Sequence, residues 1–199
     1  MAGSLILLAS ASPRRSELLR QVGIAHEVRP VDVDESVRPD EAPSAYVLRL
    51  AEAKAAALWQ QLDAGERRPV LAADTTVALE GEIFGKPADA AEAWAMLGRL
   101  SGRTHEVHTA VAVRHAGGAA ARVSSSSVSL RELSSAEIEW YWNTGEPADK
   151  AGGYAVQGRA AVFIRHIAGS YSGIMGLPLY ETWELLAPVL GLTGGGRRP

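Results

Sequence analysis

The sequence predicts an α/β protein, and three stretches carry that prediction. Near the N-terminus a short apolar run, Leu5 to Ala9, breaks at Ser10-Ala11-Ser12 and passes into a helical pattern at Pro13, which is a strand, a turn and a helix in succession. Further on, an amphipathic helix from Ala45 to about Leu62 precedes Val70 to Leu79, VLAADTTVAL, a central-strand pattern. Finally, His105 to Val113 and Arg122 to Leu130 read as strands joined by a short loop at Gly117-Gly118, as in an antiparallel pair.

At the first turn, Ser12 reads as an N-cap and Pro13 as the first helical residue. Arg14 and Arg15 then fall in the first helical turn, where the helix dipole is positive and N–H groups are unpaired. Two cations there are either solvated surface residues or part of an anion site, and a strand, a small-residue loop and a helix N-terminus together suit phosphate. Gly23 reads as the C-cap, followed by a strand over Ile24 to Val33. That strand ends in Asp32-Val33-Asp34-Glu35, either a solvated loop or oxygen ligands for a hard divalent cation.

Ser44 reads as the cap of the long helix, whose apolar stripe is Val47, Leu50, Ala51, Leu58 and Leu62. Lys54 falls on that stripe, so it must snorkel, lose its charge or meet an anion. Asp74 interrupts the apolar strand that follows, and a buried carboxylate needs a partner or a role. With Gly81 as hairpin apex, Lys86 stands opposite Thr76 and diagonally near Asp74. That juxtaposition is either an ion pair or a general base beside a phosphate-binding lysine. Asp89 then caps a helix to about Leu100 with Trp94, Leu97 and Leu100 toward the core. Ser134 and Glu137 form a capping box for the next helix. Lys150 to Gly158 is a glycine-rich stretch leading into a strand over Ala161 to Ile167, and Gln157 there carries donors and acceptors suited to a base edge. The last helix runs Leu179 to Leu190 and carries Leu179, Trp183, Leu186 and Leu190. His105, His108 and His115 lack a metal-ligand spacing and read as structural.

Composition bounds the function. The chain has 199 residues, 47% of them hydrophobic, enough for one domain with a substantial core, assigned to residues 1–193 with a frayed tail over 194–199. A net charge of −3 supplies no global field for nucleic acid. The absence of cysteine excludes disulfides, thiolate metal sites and cysteine nucleophiles. The apolar run Leu5 to Ala9 is too short for a membrane span, so the expectation is a cytoplasmic protein.

Together, Ser10-Ala11-Ser12-Pro13-Arg14-Arg15, Ala73-Asp74-Thr75-Thr76, Gly85-Lys86-Pro87, Lys150 to Gly158 and Gly176-Leu177-Pro178-Leu179 resemble the Maf family of nucleoside triphosphate pyrophosphatases. The resemblance spans nearly the whole chain. It implies an elongated, bent mixed sheet flanked by helices, two lobes with a central cleft, in a Maf/ITPase-like fold. It also implies a cytoplasmic homodimer that depends on Mg2+ or Mn2+. The family's catalytic aspartate falls on Asp74, its phosphate-binding positions on Ser10, Arg14, Arg15, Lys54 and Lys86, and its metal neighbourhood on Glu35 and Asp74. Arg14, Thr75 and Gln157 resemble the branch acting on dTTP and UTP. Gly173 departs from the family, where asparagine is common.

The expected activity is hydrolysis of dTTP and UTP to the monophosphate and pyrophosphate, removing non-standard or excess nucleotides, with Asp74 taking a proton from the attacking water. The alternatives are a nucleotide-binding regulator of septum formation, which needs the cationic cleft but no base, and a pyrophosphatase selective for purine nucleotides or 7-methyl-GTP.

Overall fold

The strand Val70–Leu79 (β3) organises the sheet because its two edges are used differently. In the computed structural model, which describes residues 5–192, one edge pairs along almost its whole length with antiparallel β5, Thr104–His115. The other edge is shared. The short strand Ile6–Leu8 (β1) runs parallel to its start at Val70 and Leu71. The strand Glu82–Phe84 (β4) runs antiparallel to its end at Val77 to Leu79. Between these two partners, residues 72–76 of β3 have a neighbouring strand on one side only, among the described residues.

The sheet continues outward in both directions. His26–Val28 (β2) pairs parallel with β1. Gly118–Leu130 (β6) and Ile164–Ala168 (β7) extend it antiparallel beyond β5. The order is β2-β1-β3-β5-β6-β7, with β4 on β3; the sheet is mixed, as predicted, and has seven strands. The chain leaves β1 toward β2 on one side and returns to β3 on the other. At such a reversal the loops after the strands diverge and open a crevice.

Side chains alternate across β3 and sort its partners. Leu71 and Ala73 face Leu18 and Leu19 of α1 (Pro13–Gln21) and Leu185 and Leu186 of the last helix, Leu179–Val189. Val70 and Ala72 face Val47, Ala51, Ala55 and Leu58 of α2, Pro43–Gln61. Val77 and Leu79 enter a separate core with Leu97 and Leu100 of α3 (Ala90–Leu100) and Ile138 and Tyr141 of α4, Ser135–Trp142. Thr75 lies between the two cores on that face. The expected two lobes therefore divide along β3: two apolar clusters cover the opposite faces of its first part and a third covers its end, parted where β3 carries polar side chains. Among the described residues, no helix is long and apolar enough to cross a membrane.

Several local expectations are met. Asp89 caps α3 by accepting from the Glu92 N–H, and Ser134 with Glu137 forms the reciprocal capping box of α4. Others are corrected. Ser44 lies inside α2, whose cap is Ala42 and whose first residue is Pro43, with its φ already set for a helix. The expected strand over Ile24 to Val33 shrinks to β2; Arg29 still donates to the Leu8 carbonyl, but Pro30 has no N–H to continue the ladder. Residues Arg159–Phe163 are 3-10 turns, so β7 starts only at Ile164. Trp94, expected toward the core, is 44% exposed, as is Trp183; the buried faces run instead through Ala93, Met96 and Leu97 and through Thr182, Leu185 and Leu186. The tail at 194–199 lies outside the described residues.

Candidate active site

A cleft of about 640 Å³ opens between the lobes over the unpaired edge of β3. Its floor is Asp74, which shares a face with Val70 and Ala72 and so points toward α2. Lys54, on the buried stripe of α2, meets it: Nζ donates to Asp74 Oδ1 at 2.8 Å. The same ammonium lies 2.5 Å from Glu35 Oε1, on the loop after β2. The Lys54 and Asp74 side chains are 12% and 10% exposed, that of Glu35 51%. Of the three outcomes open to a lysine on an apolar stripe, meeting an anion is the one realised.

The two carboxylates are pushed apart in acidity. Burial drives the Asp74 pKa above the ordinary carboxylate value, with Glu35 adding to it and Lys54 and Arg15 pulling against it. At Glu35 burial works in the same upward direction, but the Lys54 hydrogen bond and charge, with Lys86 and Arg15, outweigh it and hold the carboxyl below its usual value. A buried acid with a raised pKa beside one kept ionised is a pattern of proton-transfer sites.

The arginines of α1 enter from the other face. Arg15 donates through Nε to the Gly176 carbonyl at 2.8 Å, through one terminal nitrogen to Ser10 Oγ at 2.9 Å and through the other to Thr75 Oγ1 at 3.2 Å. Thr75 Oγ1 also lies 3.0 Å from Thr109 Oγ1, whose one hydroxyl proton goes to the Gly173 carbonyl at 2.7 Å. Arg14 donates to the Met175 carbonyl at 3.3 Å and lies 4.0 Å from Asp149 across the cleft. These are not solvated arginines. They are tied to carbonyls at the end of the short helix α5, Tyr171–Met175, which carry that helix's negative pole. Gly173 is seated in α5, its N–H donating to Ser170 Oγ.

Lys86 lines the cleft but not as expected. The hairpin uses a two-residue turn, Glu80–Gly81, with φ of 54° and 85°, and pairs Leu79 with Glu82 and Val77 with Phe84. Positive φ at both turn residues matches the twist of paired strands. This register is one residue off an apex at Gly81, and Lys86 lies beyond the last pair, exposed and facing the cleft. The ion-pair partner of Asp74 is Lys54, not Lys86. Gln157 also lines the cleft, exposed at the tip of the glycine-rich loop.

The carboxylates of Glu35 and Asp74 are oxygen donors of the kind a hard cation takes. Both meet the Lys54 ammonium, and no third His, Cys, Asp or Glu joins them in a ligand cluster among the described residues. Two carboxylates leave room for water and phosphate oxygens, which Mg2+ favours over an all-protein cage. Two further residues of the cleft escaped the sequence reading. Tyr46 lies on the face of α2 that carries Lys54, eight residues earlier, and donates to the Glu35 carbonyl at 3.0 Å; its spacing from Lys54 was the available signal. Asp149, paired with Arg14, had no signal beyond its place before the glycine-rich stretch.

Residues 5–189 match the family described as Maf: Maf-like protein. A curated relative from Chromobacterium violaceum, named dTTP/UTP pyrophosphatase, is 53% identical over 184 residues, covering 92% of this chain and 93% of that protein. A second with the same name, from Nitrosomonas europaea, is 49% identical over 198 residues, covering 93% of this chain and 94% of that protein. Among solved structures, the Staphylococcus aureus Ham1 protein aligns with a TM-score of 0.43 and 17% identity over 63% of this chain and 71% of that one.

Proposed function

This chain belongs to the Maf-like protein family, and on that premise we propose that it hydrolyses dTTP and UTP to the monophosphate and pyrophosphate. The observation that carries the reading is the buried Asp74 carboxylate, held by Lys54 at the floor of a cleft that Arg15, Arg14 and Lys86 make cationic. The relatives' names supply the substrates.

The chemistry follows from what each group can do. A water attacks the α-phosphorus and Asp74 takes its proton; the oxygen bridging the α- and β-phosphates leaves with pyrophosphate. The raised pKa makes Asp74 a stronger base than an ordinary carboxylate. One carboxylate oxygen accepts from Lys54, and the second is available to the water. Arg14, Arg15, Lys54 and Lys86 offset charge on the phosphates, and donors aimed where charge develops are worth most in a site shielded from water. Ser10 and Thr75 hold the Arg15 guanidinium in place. Glu35 and Asp74 would hold a divalent cation, Mg2+ or Mn2+, which when bound neutralises phosphate charge and acts as a Lewis acid. Gln157 would read the O4/N3 edge of thymine or uracil with one donor and one acceptor.

The test is a panel of dTTP, UTP, CTP, GTP and 7-methyl-GTP with Mg2+ or Mn2+, scored for pyrophosphate release. The expected result is highest kcat/KM for dTTP and UTP. Binding without pyrophosphate release would favour the regulator, and a preference for GTP or 7-methyl-GTP would overturn the substrate assignment.

A further inference from the structure

Gln157 lies at the tip of a turn closed by the Gly158 N–H donating to the Ala155 carbonyl at 3.1 Å. That turn is gripped on both flanks by two side chains, buried Tyr141 and half-buried Glu146. Tyr141 Oη accepts from the Ala155 N–H at 3.1 Å and donates to Glu146 Oε1 at 2.6 Å. Glu146 Oε2 accepts from the Arg159 N–H at 3.0 Å. A Cβ on Gly158 would stand 2.2 Å from that carboxylate, so Glu146 lies directly against the turn's backbone. Tyr141 is fully buried and packs edge-on to Phe163, ring centres 5.5 Å apart. Glu146 is itself oriented by Thr144, whose Oγ1 accepts from the Glu146 N–H at 3.2 Å.

We infer that Tyr141 and Glu146 are positioning residues for Gln157 and thereby set pyrimidine selectivity, an inference that rests on the base-reading role of Gln157. The Gln157 amide favours UTP over CTP only where it meets the base edge at one distance and one angle, and a fixed backbone sets that approach. The hydroxyl of Tyr141 and the carboxylate of Glu146 bond the backbone two residues before Gln157 and two residues after it. Neither touches the phosphate-binding arginines or Asp74. Removing the hydroxyl leaves the buried Ala155 N–H and one Glu146 oxygen unpaired, while the aromatic packing survives.

The experiment measures kcat and KM for UTP, dTTP and CTP, with the melting temperature, in wild type, Tyr141→Phe, Glu146→Gln, Glu146→Ala and Gln157→Ala. Tyr141→Phe should raise KM for UTP and dTTP about tenfold, lower kcat by less, and narrow the UTP-over-CTP preference by a similar factor. Glu146→Gln, which keeps one acceptor, should retain more selectivity than Glu146→Ala. A loss of efficiency equal for all nucleotides, tracking a lower melting temperature, overturns the proposal and leaves Tyr141 and Glu146 with a structural role only. If Gln157→Ala erases the UTP-over-CTP preference while the Tyr141 and Glu146 variants keep it, positioning by these two residues is overturned and base reading stands. If Gln157→Ala leaves the preference intact, base reading falls, and this inference with it.

Discussion

At the scale of single residues, the site turns on one coupled group, Asp74 with Lys54. Replacing Asp74 with Asn removes the proton acceptor but keeps the shape and a partner for Lys54. Steady-state turnover should fall by roughly 10²–10⁴, the usual contribution of a general base, with nucleotide binding retained. A rate near wild type would return Asp74 to the status of an ion-pair partner. Lys54 makes a separate prediction. Its charge lowers the Asp74 pKa against the upward push of burial, so Lys54→Met should let that pKa rise further. The acid limb of kcat/KM then moves to higher pH, since Asp74 must be ionised to act. A pH–rate profile of both proteins on the same nucleotide checks this. A lower rate with an unmoved limb would mean that Lys54 serves the phosphates alone.

Among the elements, the glycine-rich segment is the one whose residues are dictated by close approach. Gly152 has φ of 67°, its N–H donates to the Gly85 carbonyl, and a Cβ there would stand 3.0 Å from both methyl groups of Val77. The loop thus packs on β3 just past the cleft, where a larger residue needs both a left-handed backbone and a displaced Val77. Gly152→Ala should cost about 1–3 kcal/mol of stability, from backbone strain and overpacking. Urea unfolding measures it; a change under half a kcal/mol would show that the loop shifts freely. The hairpin gives the complementary lesson. Its position was legible in Glu80-Gly81-Glu82, but the register depended on whether the turn had two residues or a single apex, and Lys86 moved accordingly.

For the whole molecule, pH links the second lobe's core to stability through His105. Its ring is 1% exposed, its Nε2 lies 2.7 Å from Tyr154 Oη, and burial depresses its pKa to about 4. Below the unfolded value near 6.5 the unfolded chain binds a proton that the folded chain refuses. The stability from this group is therefore full above pH 6.5 and lost as the pH falls toward 4. Between pH 7 and pH 5 the loss is about 2 kcal/mol. His105→Gln should remove that part of the slope in unfolding experiments at the two pH values; an identical slope in the variant would show that His105 does not titrate in this window.

The sequence by itself determined the α/β class and the caps at Asp89 and Ser134, and it supplied much of the cleft's lining though not Tyr46 or Asp149, because local pattern and residue type suffice for these. Asp74 in an apolar strand and Lys54 on an apolar stripe were legible as anomalies, since a buried charge must be answered somewhere. Where it was answered was not legible. The partner of Asp74 lies twenty residues away on another element, and only the packing of α2 on one face of β3 decided that it was Lys54 rather than Lys86. Likewise the arginine-bearing turn predicted an anion site, but its ties to Gly176 and Met175 span 161 residues and depend on which loops the sheet order brings together. Periodicity reports a residue's face; which element covers that face is settled only when the strands have been ordered and the helices laid across them.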